Sequence, residues 1–247
     1  MKRILILAAV LLSSCAGQNV DVLIVGGGAS GISAGVQSAR MGVSTVIVEP
    51  TPWVGGMLTS AGVSATDGNY RLRGGMWGEL RDSLEAHYGS AEALKTGWVS
   101  NLLFEPHIGA RIFRSMADNE ELLTVAFETS ATEISRTEEG WQVMLQGPHG
   151  KRCVTGSVLI DCTELGDVAA GQGVKYDMGM ESRSVTGEDI APEEANDIIQ
   201  DLTMVMILKD YGRDMTIERP ADYDSALFAC ACQNAICRTP KEANRLW

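Results

Sequence analysis

The stretch Val20 to Pro50, VDVLIVGGGASGISAGVQSARMGVSTVIVEP, admits few folds. Val20 to Val25 is an unbroken apolar run, the pattern of a strand buried on both faces. Gly26-Gly27-Gly28-Ala29-Ser30-Gly31 follows at once and fits G-x-G-x-x-G. From Ser30 to Met41 apolar and small residues recur at helical spacing, and Gly42 supplies a C-terminal stop. Ser44 to Val48 is β-branched and apolar again, a second buried strand. Strand, helix and strand within about thirty residues make a right-handed βαβ unit.

Alone, the glycine pattern says little, because a chain with 27 glycines in 247 residues meets it by chance. Placed between a strand and a helix it has a mechanism. Gly26 allows the tight turn, Gly28 lets backbone approach a pyrophosphate, and Gly31 permits close helix–strand packing. The diphosphate then sits on free N–H groups at the helix start, Ala29 and Ser30 among them, where the dipole favours its charge. Glu49 ends the second strand about 20 residues on, placed to accept from ribose hydroxyls.

The choice of dinucleotide rests on the loop after Glu49. A simple NAD domain feeds its second strand directly into a helix. Here Gly55-Gly56 comes soon after Glu49, in a loop rich in Gly, Ser and Thr. Glycines remove side chains where backbone must lie against something large and flat, which favours a longer cofactor, FAD, over NAD.

Thr51 to Asn119 reads as an insertion. One helix carries Trp77, Leu80, Leu84 and Tyr88 on a single face, and a second starts at Pro106 with Ile108, Ile112 and Met116 inward. Leu122 to Phe127 returns as a strand. A meander comes next, with strands at Thr132–Arg136, Trp141–Gln146 and Lys151–Thr155 joined by Gly-containing turns. A separate strand is expected at Val158–Ile160, ending in Asp161-Cys162-Thr163-Glu164-Leu165-Gly166-Asp167. Beyond Ser184 a helix is expected at Glu193–Leu202 and a strand at Met204–Leu208.

The stretches VDVLIVGGGASGISA, GGMLT (Gly55 to Thr59), FEPH (Phe104 to His107), VLIDCTELGDVAA (Val158 to Ala170) and GMES (Gly179 to Ser182) together resemble one group. It is the FAD-dependent oxidoreductase family of glutathione-reductase-like fold, with secreted bacterial members and relatives of the heterodisulfide reductase flavoprotein subunit. The resemblance runs over about residues 20 to 186. It implies an α/β fold: a Rossmann-like parallel sheet with a βαβ dinucleotide-binding unit and an antiparallel meander, plus an incomplete second domain. It also implies that Gly26, Gly28 and Gly31 hold the pyrophosphate and Glu49 the ribose. Gly55, Gly56 and Met57 would line the FAD, and Thr163, Gly166 and Asp167 would close over it. Met180 stands where the family usually has arginine. After Ser184 no second glycine-rich strand-to-helix turn appears, so the chain is expected to be a C-terminally truncated member. FAD-binding residues would occupy 16–186, and 187–247 would begin a substrate domain.

The first fifteen residues form a different object. Lys2 and Arg3 precede the apolar run Ile4 to Leu12, too short to span a bilayer, and Leu12-Ser13-Ser14-Cys15 comes after it. This is the layout of a secretory signal peptide. Its cysteine resembles a lipobox, which makes Cys15 a lipidated membrane anchor on an exported, cell-envelope protein. Export makes disulfides available to Cys153, Cys162, Cys230, Cys232 and Cys237. Cys230-x-Cys232-x4-Cys237 lacks a fourth metal ligand at a usual spacing, so no metal is expected. The formal charge of −12 excludes nucleic acid as a partner, since no basic face exists to neutralise phosphates.

The expected reaction is hydride transfer between a small organic or sugar-like substrate and flavin N5, with the electron acceptor unspecified. Among three histidines His107 is the candidate acid or base, being placed at a helix start. His87 and His149 read as surface residues, and Arg71 and Arg73 as solvated. The competing expectations are a cofactor-binding remnant without turnover, and an NAD-binding module.

Overall fold

The leading apolar run forms strand β1 (Gln18–Val25), with Leu23 and Ile24 fully buried. It passes through the glycine turn into helix α1 (Ala29–Arg40) and back into β2 (Thr45–Val48), which is buried along its whole length. β1 and β2 pair in parallel, Val22 opposite Thr45 through Val25 opposite Val48. These elements belong to a computed structural model that describes residues 17–66, 71–96, 100–200, 203 and 205–224. The leader with Cys15, and Cys230, Cys232 and Cys237, lie outside the described residues.

Between β2 and the next strand run helix α2 (Gly75–Tyr88) and helix α3 (Pro106–Asp118). α2 buries Leu80 and Leu84, and Trp77 and Tyr88 pack against the same core, as their spacing predicts. Gly89 ends α2 in the left-handed region, φ +88°. α3 opens on Pro106, buries Ile108, Phe113 and Met116, and turns Arg111 and Arg114 to solvent. Arg40 fastens this segment to α1. Its guanidinium donates to both Glu79 carboxylate oxygens at 2.7 and 2.8 Å and to Glu120 at 2.7 Å.

Strand β3 (Leu123–Ala126) pairs parallel with β2, and β4 (Ser130–Arg136), β5 (Trp141–Gly147) and β6 (Gly150–Asp161) complete one six-stranded sheet. The order is β3-β2-β1-β6-β5-β4. β6 is parallel to β1 and antiparallel to β5. The four strands from β3 to β6 across β1 are therefore parallel, and the meander is antiparallel. One core cluster joins Ile24, Ile47 and the buried faces of α1, α2 and α3. A second joins Leu23, Val46 and Val48 to Val143, Leu145 and Val154 of the meander.

Three sequence expectations are corrected. Lys151–Thr155 and Val158–Ile160 are one strand, because the apparent breaker Gly156 pairs with Val20 of β1 on one side and Trp141 of β5 on the other. A Cβ there would stand 3.0 Å from the Leu23 Cβ, so close strand approach, not a turn, requires the glycine. The helix expected at Glu193–Leu202 is absent from its described part, 193–200. Asn196 exchanges backbone bonds with Met180 at 3.0 Å in both directions, and its side chain accepts the Ile198 amide at 3.0 Å. Such a local side-chain bond competes with the helical ladder. Residues 205–208 form no strand, and only short helices α4 (Asp167–Gly171) and α5 (Arg183–Thr186) come after β6 among the described residues.

The chain divides into two compact units, Met1–Met206 and Ile207–Trp247. In the second, residues 207–224 have neither helix nor strand. Among the described residues no helix is long and apolar enough to cross a membrane.

Candidate functional site

β1, β2 and β6 end at one level, Val25 beside both Val48 and Asp161. The carboxyl ends of parallel strands are where open α/β sheets leave a crevice. A cleft of about 720 Å³ opens there, within the usual range for ligand pockets. Gly26, Gly28 and Glu49 line it from the βαβ unit, Gly56 and Met57 from the next loop, and Thr163 and Asp167 from the loop after β6.

The three motif glycines serve different neighbours. Gly26 has φ +102°, and a Cβ there would stand 2.1 Å from the Cys162 carbonyl oxygen. A Cβ at Gly31 would stand 1.9 Å from the Gly26 carbonyl oxygen. Both are glycine because the protein's own backbone leaves no room. Gly28 differs: its φ is −62°, and a Cβ there would meet only a Glu164 carboxylate oxygen, at 3.4 Å. Its openness toward the cleft fits close approach by a ligand. No side chain caps α1 and no acid stands in its first turn, so the donors at this helix start are free for an anion. Ala29 and Ser30, at that start, do not line the cleft and are exposed.

Glu49 is buried and binds the turn itself. Its Oε2 accepts the Gly27 amide at 2.9 Å and its Oε1 the Thr51 amide at 2.7 Å. The Gly27 carbonyl in turn accepts the Gly55 amide at 2.8 Å, which lays Gly55 alongside Gly28 in a parallel bridge. Gly55 and Gly56 both have positive φ, +108° and +52°, which turns the chain into the short helical turn Gly56–Leu58 and carries Met57 to the cleft.

The third wall is organised by Asp161. Its Oδ1 accepts the Thr163 amide at 2.9 Å and hydroxyl at 2.7 Å, and its Oδ2 accepts the Ala169 amide at 2.7 Å. The Thr163 hydroxyl accepts the Asp167 amide at 2.8 Å, and Gly166, φ +72°, makes the turn into α4. Burial pushes the Asp161 carboxyl up, but the Thr163 hydroxyl and the amides of Ala169, Thr163 and Val168 outweigh it and hold the group below its ordinary value. Cys162 is free and lines the cleft, its thiol pushed up by burial and by Asp161 against a lowering bond from Ser30. It therefore stays protonated near neutrality. Cys153 is disulfide-bonded.

His107 does not come to this cleft. It lines a separate cavity of about 240 Å³ with Trp53, Arg111, Arg114 and Phe127. His87 lies 3.3 Å from the Arg111 guanidinium, and His149 sits in the exposed turn between β5 and β6. Arg73 faces Asp82 and Glu85 at 3.7 and 3.8 Å. Sequence reasoning passed over Asp161 as a site residue, although an Asp two residues before a Thr at a strand end signals such a turn. It also missed the Thr129–Thr132 wall, which carries no motif. No cluster of metal-ligating side chains occurs among the described residues.

The family model described as FAD dependent oxidoreductase matches residues 21–246. An NADH:fumarate oxidoreductase of Klebsiella pneumoniae (strain 342) is 30% identical over 135 residues, 51% of this chain and 14% of that protein. A 3-oxosteroid 1-dehydrogenase of Mycolicibacterium smegmatis is 46% identical over 46 residues, 19% of this chain and 8% of that protein. The chain thus matches a small part of the length of these relatives. Among solved structures, p-nitrophenol 4-monooxygenase from Pseudomonas putida DLL-E4 shares the fold, with a TM-score of 0.50 and 16% identity over 67% of this chain and 46% of that one.

Proposed function

The chain belongs to the FAD-dependent oxidoreductase family, and on that premise we propose that its cleft holds the cofactor for hydride transfer to or from a small organic substrate. When bound, FAD supplies the hydride-accepting chemistry at N5. The protein's part is to bind and orient. The free donors at the start of α1 take the diphosphate, with Gly28 giving it room. Glu49 has carboxylate lone pairs left beyond its two amide bonds and accepts from the adenosine ribose. Gly56 and Met57 face the cofactor from one side, Thr163 and Asp167 from the other.

The observation that carries this reading is Gly28. The protein's packing explains glycine at Gly26 and Gly31, whereas a Cβ at Gly28 would meet only the Glu164 Oε1 at 3.4 Å, and the room there suits close approach by a diphosphate. The names of the two relatives, a fumarate oxidoreductase and a steroid dehydrogenase, support a redox reaction on a small organic molecule. The leader sequence supports a reading of export, with a lipid anchor on Cys15 and a location in the bacterial cell envelope. Labelled palmitate should enter the expressed protein and be lost in Cys15→Ala.

The visible absorption spectrum of the purified chain, taken after adding FAD and desalting, tests the cofactor reading. Retained flavin bands support it, whereas a colourless protein that keeps no FAD overturns it.

A further inference from the structure

Glu164 comes directly after Thr163 in the loop after β6, and its carboxylate stands where the two glycine loops converge. A Cβ at Gly28 would come within 3.4 Å of its Oε1, and a Cβ at Gly56 within 2.7 Å of the same oxygen. That Gly56 Cβ would also lie 2.9 Å from the Gly28 Cα, so both backbones close on one spot. The carboxylate there is exposed, and among the described residues it has no hydrogen-bond or ion-pair partner.

Nothing in the protein's packing asks for an acid in this place. The cleft lining already carries Glu49 and Asp167, and among the described residues it contains no Lys, Arg or His. An anion at the open end of α1 is favoured by the helix dipole and by the uncapped N–H groups. A carboxylate and a diphosphate are alternative occupants of that field, and together they repel each other.

We propose that Glu164 sets the affinity and charge selectivity of the cleft for its cofactor, its carboxylate resting against the glycine cradle and turning away when a diphosphate enters. This rests on the reading of the cleft as the FAD site. Because the side chain is exposed and unpaired, turning away breaks no bond within the protein. The cost is electrostatic, a negative charge left beside a doubly negative guest in a cleft whose described lining holds no cation. Glu164 thereby weakens binding of anionic ligands relative to a neutral residue of the same shape.

The test titrates FAD-free full-length protein with FAD, followed by flavin fluorescence, for the wild type and for Glu164→Gln. Glu164→Gln keeps shape and removes charge, and unchanged thermal melting checks that it folds. At low salt Glu164→Gln should bind FAD about tenfold more tightly than the wild type. Raising salt from about 0.01 M to about 1 M, which cuts the screening length from about 30 Å to about 3 Å, should close most of that gap. Glu164→Asp, with its charge drawn back from the cradle, should fall between. Equal affinity of wild type and Glu164→Gln, weaker binding by Glu164→Gln, or a gap that salt does not change would each overturn the proposal. FAD binding to neither protein overturns the cofactor reading itself, and this proposal with it.

Discussion

Glu49 at the end of β2 and Gly27 in the turn after β1 are joined by one buried hydrogen bond, Glu49 Oε2 accepting the Gly27 amide at 2.9 Å. The acid therefore shapes the glycine turn through the protein's own hydrogen bonds. Removing it leaves the Gly27 amide unpaired in a buried place. Glu49→Ala should lower the stability of FAD-free protein by about 1–3 kcal/mol. Glu49→Gln, which keeps one acceptor oxygen, should cost less. Urea unfolding of the two variants measures both, and an unchanged midpoint for Glu49→Ala would show that the bond adds nothing to the fold.

Substitutions at Gly28 and Gly31 should separate an effect on cofactor retention from an effect on the fold. Gly31→Ala drives a methyl into the Gly26 carbonyl, a contact of 1.9 Å that only backbone movement relieves. Overpacking of this kind costs about 1–3 kcal/mol or more, and Gly31→Ala should melt well below the wild type without cofactor. Gly28→Ala meets nothing nearer than 3.4 Å and keeps an ordinary φ of −62°. It should melt like the wild type and still lose FAD on desalting. Parallel melting and flavin-retention measurements check the pair, and a strongly destabilised Gly28→Ala would remove the basis for calling that position ligand-facing.

The hydrogen bonds on Asp161 make the third wall sensitive to acid. Its folded-state carboxyl is held below the ordinary value of 3.8, so ionisation favours the native state. The stability it supplies is whole above 3.8 and is lost as the pH falls through the lower folded value. In Asp161→Asn the side-chain amide faces the Ala169 N–H, donor against donor. That variant should be less stable near neutrality and should decline less steeply below about pH 4. Unfolding midpoints across the acid range give the comparison, and parallel curves for the two proteins would contradict the assignment.

Arg40 holds Glu79 with a two-pronged contact and Glu120 with its Nε. A lysine ammonium cannot make both sets of bonds at once. Arg40→Lys should cost about 1 kcal/mol or less, because the guanidinium is partly exposed. The loss should shrink at high salt. A salt-independent loss in urea unfolding would point instead to the packing of the arginine stem.

How much of this was legible in the residues differs from element to element. β1, α1 and β2 follow from unbroken apolar runs and a glycine turn, signals that are local and strong. The faces of α2 and α3 follow from helical spacing and, for α3, from Pro106. The continuity of β6 was hidden because Gly156 looks the same in a turn as in a crowded strand, and only its two partners distinguish them. The missing helix after Pro192 was hidden for a similar reason, since Asn196 bonds to Met180, a residue that no local pattern couples to it. The places of Gly26, Gly28, Gly56 and Glu49 in the cleft lining were readable from register, whereas Gly31, Gly55 and Gly166 do not line it. Asp161 and the Thr129–Thr132 wall were not readable, because their role depends on which strand ends stand side by side.

β6 also sets a schedule for the newborn chain. Asn19 and Thr155 meet across β1 and β6 although 136 residues separate them. Until the ribosome has delivered β6, the central strand presents one bare, sticky edge, and such edges invite pairing with the wrong chain. Distant pairings of this kind close slowly. Among the described residues, the strand furthest along the chain is thus the one that seals the middle of the sheet. It also carries Asp161, so the cleft and the finished sheet come into being in the same step.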